Sequence, residues 1–215
     1  MKIKALIFDL DGTLLNTIVD LNNSVNETYK YLGYEKRNTV EETMSLVGHG
    51  MKNLMEKCFP GNNEDYILRA LDIFLDAYSK EYKRNTKAYA GIKELIDYLI
   101  DNNYKVGVNS NKNHLYTEDL IRNIFPNINI DYVTGIKEND KPKPDPSNVN
   151  RIIEKMNINK EKVLYIGDSP TDYKTAKNAD LKFIGVSWGY RSKQELIEAG
   201  SNIIIDKPNE LKKYL

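Results

Sequence analysis

Short apolar runs recur along this chain at Ala5–Leu10, Tyr104–Asn109, Tyr132–Gly135, Val163–Gly167, Phe183–Val186 and Asn202–Ile205. Each has the length of a strand and ends at turn-forming residues. Most of the intervals between them carry helical periodicity instead. Ile92, Leu95, Ile96 and Leu99 keep a 3.6-residue spacing, as do Val149, Ile152, Ile153 and Met156. Near-continuous apolar strands alternating with amphipathic helices predict an α/β fold, a parallel sheet covered by helices on both faces.

One stretch breaks the alternation. From about Asn16 to Ala88 no strand is evident, and the apolar spacing is helical throughout. Ile18, Leu21, Val25, Tyr29 and Leu32 mark a first helix, stopped by Gly33. Thr39 followed by Glu42 forms a capping-box pattern for a second. Met51, Leu54, Met55 and Cys58 mark a third, and Ile67, Leu71, Leu75, Tyr78 and Tyr82 a fourth. The segment is too long for a crossover loop. The expectation is a core formed by residues 1–15 and 89–215, with residues 16–88 inserted as an all-helical cap.

Bulk properties narrow the function classes. Lys+Arg and Asp+Glu balance at 31 each in 215 residues, so net charge gives no electrostatic case for nucleic acid. No apolar stretch approaches the ~20 residues of a membrane span, and the mean hydropathy is −0.57. Asp9 and Asp11 interrupt the first apolar run too early for a signal peptide, so the expected location is cytoplasmic. The single cysteine, Cys58, excludes an internal disulfide and reads as the buried face of a helix.

In an open parallel sheet, ligands gather beyond the carboxyl ends of the strands. The first run ends in Asp9-Leu10-Asp11-Gly12-Thr13, the second in Ser110-Asn111-Lys112. The third is followed by Lys141-Pro142-Lys143-Pro144-Asp145-Pro146, the fourth by Asp168-Ser169-Pro170-Thr171-Asp172. Asp9 and Asp11 lie two residues apart, on the same side of an extended chain. Carboxylates that close repel unless a cation, a lysine or a shared proton relieves them. Taken singly, each ending has a structural explanation: a turn, a helix cap, a solvated loop. Together they put acids, a hydroxyl and lysines at one edge.

This set of motifs resembles the haloacid dehalogenase-like hydrolases, in particular their phosphatase branch with a helical cap and a Rossmann-like, doubly wound core. The motifs are Asp9-x-Asp11-Gly12-Thr13, Ser110, Lys141 and Gly167-Asp168-Ser169-x-x-Asp172. Tyr89-x-Gly91, Ser187-Trp188-Gly189-Tyr190-Arg191 and Ile205-Asp206 are similar to the phosphoglycolate phosphatases of that family.

The resemblance implies phosphoryl transfer, in which charge neutralisation and a positioned nucleophile do most of the work. Asp9 is expected to be the nucleophile, forming an aspartyl-phosphate. Asp11 would be the general acid and base. Mg2+ would be held by Asp9, Asp168 and the backbone carbonyl of Asp11, with Asp172 acting from behind them. Ser110, the backbone N–H of Asn111 at a helix N-terminus, and Gly12 would meet the substrate phosphate. The lysine-proline-x-proline pattern aligns on Lys141, which would offset the charge of Asp9 and the phosphoryl group, and leaves Lys143 as a solvated neighbour.

An aspartate at position 11 favours phosphate esters over haloacids, because an alkoxide leaving group needs a proton. The cap is expected to select substrate, with His49 and Lys52, beside Gly48 and Gly50, as candidates to meet a substrate carboxylate. His114 is expected on the surface of its helix, and Trp188 in packing alone. Asn16-Thr17 stand where relatives carry an Asp-Ser pair. The expected activity is hydrolysis of a small phosphate monoester, 2-phosphoglycolate first, by a monomer or homodimer with no nucleic-acid or membrane partner. A pyrophosphatase, a nucleotidase or a sugar phosphomutase of the same family are the alternatives.

Overall fold

The computed structural model describes residues 2–215. In chain order its elements are β1 (Ala5–Phe8), β2 (Leu15–Asn16), α1 (Ile18–Tyr31), α2 (Val40–Leu46), α3 (Met51–Cys58) and α4 (Glu64–Glu81). There follow β3 (Lys87–Ala88), α5 (Ile92–Asp101), β4 (Lys105–Asn113), α6 (His114–Ile124), β5 (Val133–Ile136) and α7 (Ser147–Met156). Then come β6 (Val163–Gly167), α8 (Pro170–Asn178), β7 (Lys182–Val186), α9 (Lys193–Ala199) and β8 (Ile204–Ile205), followed by a 3-10 helix over Pro208–Tyr214. It divides into two compact units: the segment through Leu15 together with Ala88–Leu215, and the intervening Asn16–Lys87.

The first unit is built on a six-stranded sheet in the order β5-β4-β1-β6-β7-β8. Its pairings are parallel, with β1 between β4 and β6: Ala5 is level with Lys105 on one side and Val163 on the other. All four β1 residues are buried, as expected of a strand with neighbours on both edges and helices on both faces. On one face Ala5, Ile7, Val163 and Tyr165 pack against Val149, Ile152, Ile153 and Met156 of α7. Each of the valine, isoleucine and methionine side chains contributes about 1.5–3 kcal/mol by leaving water. Because the strands run in one direction, the loops after β1, β4, β5 and β6 emerge at the same edge.

The second unit is helical. The Thr39–Glu42 capping box forms, with Glu42 N–H donating to Thr39 Oγ1 at 3.1 Å and Thr39 N–H to Glu42 Oε2 at 2.7 Å. Cys58 is buried, and its carbonyl accepts the Tyr29 hydroxyl at 3.1 Å. The buried stripe of α4 is Ile67, Ala70, Phe74 and Tyr78. Leu71, Leu75 and Tyr82 are only half-buried, so the stripe is rotated from the one that aliphatic spacing picks out. Asp20 is fully buried and accepts the Asn85 and Thr86 backbone N–H groups and the Thr86 hydroxyl, tying α1 to the chain before β3. The two passages between the units, β2 and β3, pair as a short ladder. Two residues each are too few to leave a sequence signal. No helix among the described residues is long and apolar enough to cross a membrane.

Candidate active site

At the carboxyl edge of the sheet three buried carboxylates converge. Asp9, Asp168 and Asp172 each present an oxygen, all within 4.8 Å of one another. Asp9 continues β1, its N–H donating to Ile166 O at 2.9 Å. Its Oδ1 accepts the Leu10 N–H at 2.7 Å and lies 2.7 Å from Lys143 Nζ. Oδ2 of Asp9 has no hydrogen bond among the described residues.

The cation at the centre of this cluster is Lys143, not Lys141. Lys143 is 6% exposed, and its Nζ bridges Asp9 Oδ1 and Asp172 Oδ1 at 2.7 Å each. Lys141 lies exposed on the loop between β5 and α7. The lysine-proline-x-proline pattern occurs in two overlapping registers, at residues 141–144 and at 143–146. The signal for the right lysine was in the sequence, but packing chose between the registers. Asn111 makes that choice visible. Its Oδ1 accepts Lys143 N–H at 2.7 Å and its Nδ2 donates to Lys143 O at 3.3 Å, so the loop is latched to β4 at this residue.

Asp172 sits in the first turn of α8, where it completes a capping box with Ser169. The Ser169 N–H donates to Oδ2 at 3.1 Å, leaving Oδ1 to face Lys143 and, at 3.5 Å, the Tyr165 hydroxyl. With both oxygens engaged, Asp172 positions Lys143 rather than offering a vacant ligand atom. Tyr165 in turn accepts from Asn109 Nδ2 at 3.2 Å.

Asp168 is held by the Thr13 hydroxyl at 3.2 Å and the Tyr190 N–H at 2.6 Å. The backbone approaches it from two sides. A Cβ at Gly12, whose φ is +89°, would stand 2.4 Å from Asp168 Oδ2, and one at Gly189 would overlap the same side chain. Trp188 does more than pack: its indole N–H donates to Thr13 O at 3.0 Å and braces the loop after β1.

Asp11 and Ser110 complete the edge. The Asp11 carboxylate is 2.9 Å from Lys112 Nζ, a lysine to which the motifs assign no role. The Ser110 hydroxyl is buried and accepts the Lys112 N–H at 3.1 Å, so its own proton is left to donate. Asn111 does not lie at a helix N-terminus. β4 continues extended through Asn113, and α6 begins only at His114 with Asn113 as its cap.

His114 is only half-exposed rather than a surface residue: its Nδ1 accepts the Gly135 N–H at 3.3 Å, and burial holds its pKa below the usual value. In the helical unit His49 is exposed, and Lys52 forms an exposed ion pair with Glu64 at 2.7 Å.

The electrostatics follow from burial. Desolvation, then the Asp172 charge, pushes Asp9 well above the usual carboxylate range against the pull of Lys143. The same causes raise Asp168 to about 7. Burial alone would discharge Lys143, but Asp172 and Asp9 outweigh it and hold the ammonium well above its ordinary pKa. Burial, then the charges of Asp168 and Asp11, raises the Tyr89 phenol as well, which places it within electrostatic reach of the site. Three carboxylates face one ammonium in this cluster. The surplus negative charge, carried on hard oxygen atoms, fits a divalent cation such as Mg2+.

Comparison with known proteins agrees with this geometry. The family model described as "Haloacid dehalogenase-like hydrolase" matches residues 6–186. A phosphoglycolate phosphatase of Nitrosospira multiformis is 28% identical over 220 residues, covering 100% of this chain and 96% of that one. Pyrophosphatase PpaX of Listeria monocytogenes is 26% identical, covering 98% and 95%. A crystal structure from Lactobacillus delbrueckii subsp. bulgaricus, provisionally named a phosphoglycolate phosphatase, superposes with a TM-score of 0.93 at 28% identity over 99% of this chain and 98% of that one. With the acids, the bridging lysine and the parallel sheet all in place, the chain belongs to the haloacid dehalogenase-like hydrolases.

Proposed function

We propose that this protein is a magnesium-dependent phosphatase that hydrolyses a small phosphate monoester, 2-phosphoglycolate first among candidates, through an aspartyl-phosphate on Asp9. The observation that carries the reading is the state of the Asp9 carboxylate. Lys143 and the Leu10 N–H fix Oδ1, while Oδ2 has no hydrogen bond among the described residues and can attack phosphorus. Lys143 offsets the charge of Asp9 so that a dianionic phosphoryl group can approach. The Ser110 hydroxyl donates to a phosphoryl oxygen. Asp11 gives a proton to the leaving oxygen and later takes one from the attacking water.

Asp9, Asp168 and the Asp11 carbonyl are the residues that would hold Mg2+, and Asp172 keeps Lys143 in register behind them. The cation, when bound, supplies a compact positive charge beside the phosphoryl oxygens. Discrimination by His49 and Lys52 of the helical unit belongs to the same reading, as does a cytoplasmic location among small phosphorylated metabolites. A pyrophosphatase is the second reading, favoured by the similarity to the Listeria protein.

The test is phosphate release from a panel of esters and pyrophosphate with Mg2+, run beside Asp9→Asn. Loss of at least ~1,000-fold in the variant is expected, since removing a nucleophile removes the covalent route. Undiminished turnover by Asp9→Asn would remove the nucleophile assignment and the mechanism with it.

A further inference from the structure

The ion pair between Lys112 and Asp11 is not explained by phosphoryl transfer alone. The Lys112 side chain is 2% exposed, and Nζ stands 2.9 Å from Asp11 Oδ1 and 3.0 Å from Oδ2. Burying an ammonium beside a carboxylate contributes little to stability by itself. Its location is informative. Lys112 follows Ser110 by two residues in the last, irregular part of β4. Its N–H also donates to the Ser110 hydroxyl at 3.1 Å. Lys112 thus meets the Ser110 hydroxyl through its backbone and the proposed acid through its side chain.

We propose that Lys112 is a specificity residue that binds a second anion on the substrate, close to the bridging oxygen, and that Asp11 holds its ammonium in place for this task. The inference rests on the phosphatase reading above and names the substrate class it would serve. The leaving oxygen must come within ~3 Å of the Asp11 carboxyl to receive a proton. Lys112 Nζ lies 2.9 Å beyond that carboxyl, hence within about 6 Å of the leaving oxygen. A carboxylate on the adjacent carbon, or a second phosphoryl group on the same oxygen, carries its own oxygens about 3 Å towards the lysine. A charge-assisted hydrogen bond of ~2.8 Å closes the remaining gap. A neutral tail offers nothing to the buried ammonium, which then stays with Asp11. The substrate anion would compete with Asp11 for the rotatable donors of the Lys112 ammonium.

The test measures kcat/KM for 2-phosphoglycolate, pyrophosphate and ethyl phosphate with the wild type, Lys112→Met and Lys112→Arg. Ethyl phosphate has nearly the shape of phosphoglycolate without the second anion. The wild type is expected to favour an anion-tailed substrate over ethyl phosphate. Lys112→Met should lower that ratio by about 10- to 100-fold, the range for one hydrogen bond to a charged group, and Lys112→Arg should restore part of it.

Collapse of the phosphoglycolate ratio assigns the second anion as a carboxylate, and collapse of the pyrophosphate ratio as a phosphate. Either result supports the proposal. An unchanged ratio, or an equal loss on all three substrates, overturns it and leaves a structural ion pair. So does a wild type that hydrolyses ethyl phosphate as efficiently as the others, whether or not the variants fold. Asp9→Asn run in parallel separates the two failures: activity surviving there sinks the phosphatase mechanism, whereas an indifferent Lys112 leaves it standing.

Discussion

At the scale of single residues the site is decided by which lysine is buried. Lys141 and Lys143 are two positions apart, both followed by proline, and both fit the lysine-proline-x-proline pattern. Only Lys143 reaches Asp9 and Asp172. Lys143→Met should therefore lower kcat/KM by at least ~100-fold, the scale for losing one preorganised charge at a phosphoryl site. It should also destabilise the fold by about 3–5 kcal/mol, because two buried carboxylates lose their counterion. Lys141→Met, on an exposed loop, should change activity by less than about 3-fold. Steady-state kinetics and denaturant melts of the two variants, side by side, check this directly. Equal effects would return the central role to the outer lysine. The acids were legible because their spacing is rigid: Asp9-x-Asp11 on a strand end and Asp168 four residues before Asp172 leave one register each. The lysines sit in a proline-rich loop where two registers fit.

At the scale of elements, the turn after β7 packs directly against the candidate site. Ser187–Arg191 supplies the Tyr190 N–H to Asp168 and the Trp188 indole to Thr13, and the Arg191 charge acts on Asp168 as well. Gly189 permits that approach, since any Cβ there overlaps Asp168. Gly189→Ala is expected to displace Asp168, raise the Mg2+ concentration needed for half-maximal activity, and cut activity at least ~10-fold. Metal titration of activity in the variant is the measurement, and an unchanged titration midpoint would show that the turn is only a neighbour. The strands and helices of both units follow the sequence periodicity closely. Two features did not: the buried stripe of α4, which runs through Ala70 and Phe74 rather than Leu71 and Leu75, and the two-residue strands β2 and β3.

For the whole molecule, the concentration of buried negative charge couples stability to pH and to metal. The folded-state pKa of Asp168, about 7, is raised above its unfolded value by burial and by Asp172. The folded state therefore binds this proton more tightly than the unfolded chain does. Its stabilising contribution is complete below the ordinary carboxylate pKa and is lost as pH rises from there through about 7. Asp9 is shifted in the same direction. The metal-stripped protein should thus lose Tm between pH 5 and pH 8. Added Mg2+, which binds only the ionised carboxylates, should raise Tm more at pH 8 than at pH 5. Thermal melts in chelator and in excess Mg2+ at both values test the sign. A Mg2+ effect larger at pH 5 would mean that these carboxylates are not its ligands.

The sequence by itself determined the fold class, and its strand-end spacings put Asp9, Asp168 and Asp172 where the folded chain brings them together. Periodicity, strand-end placement and fixed spacings are local properties, readable without a partner. Only the tertiary structure decided which lysine is buried, that Asn111 latches it, that Lys112 faces Asp11, and that Trp188 and Gly189 hold the loops. Those facts depend on contacts between residues such as Thr13 and Asp168, or Asn111 and Lys143, far apart in the chain and adjacent only once the parallel strands bring their ends to one edge. A polar side chain in a loop has no period to betray its partner, and its partner is what gives it a role.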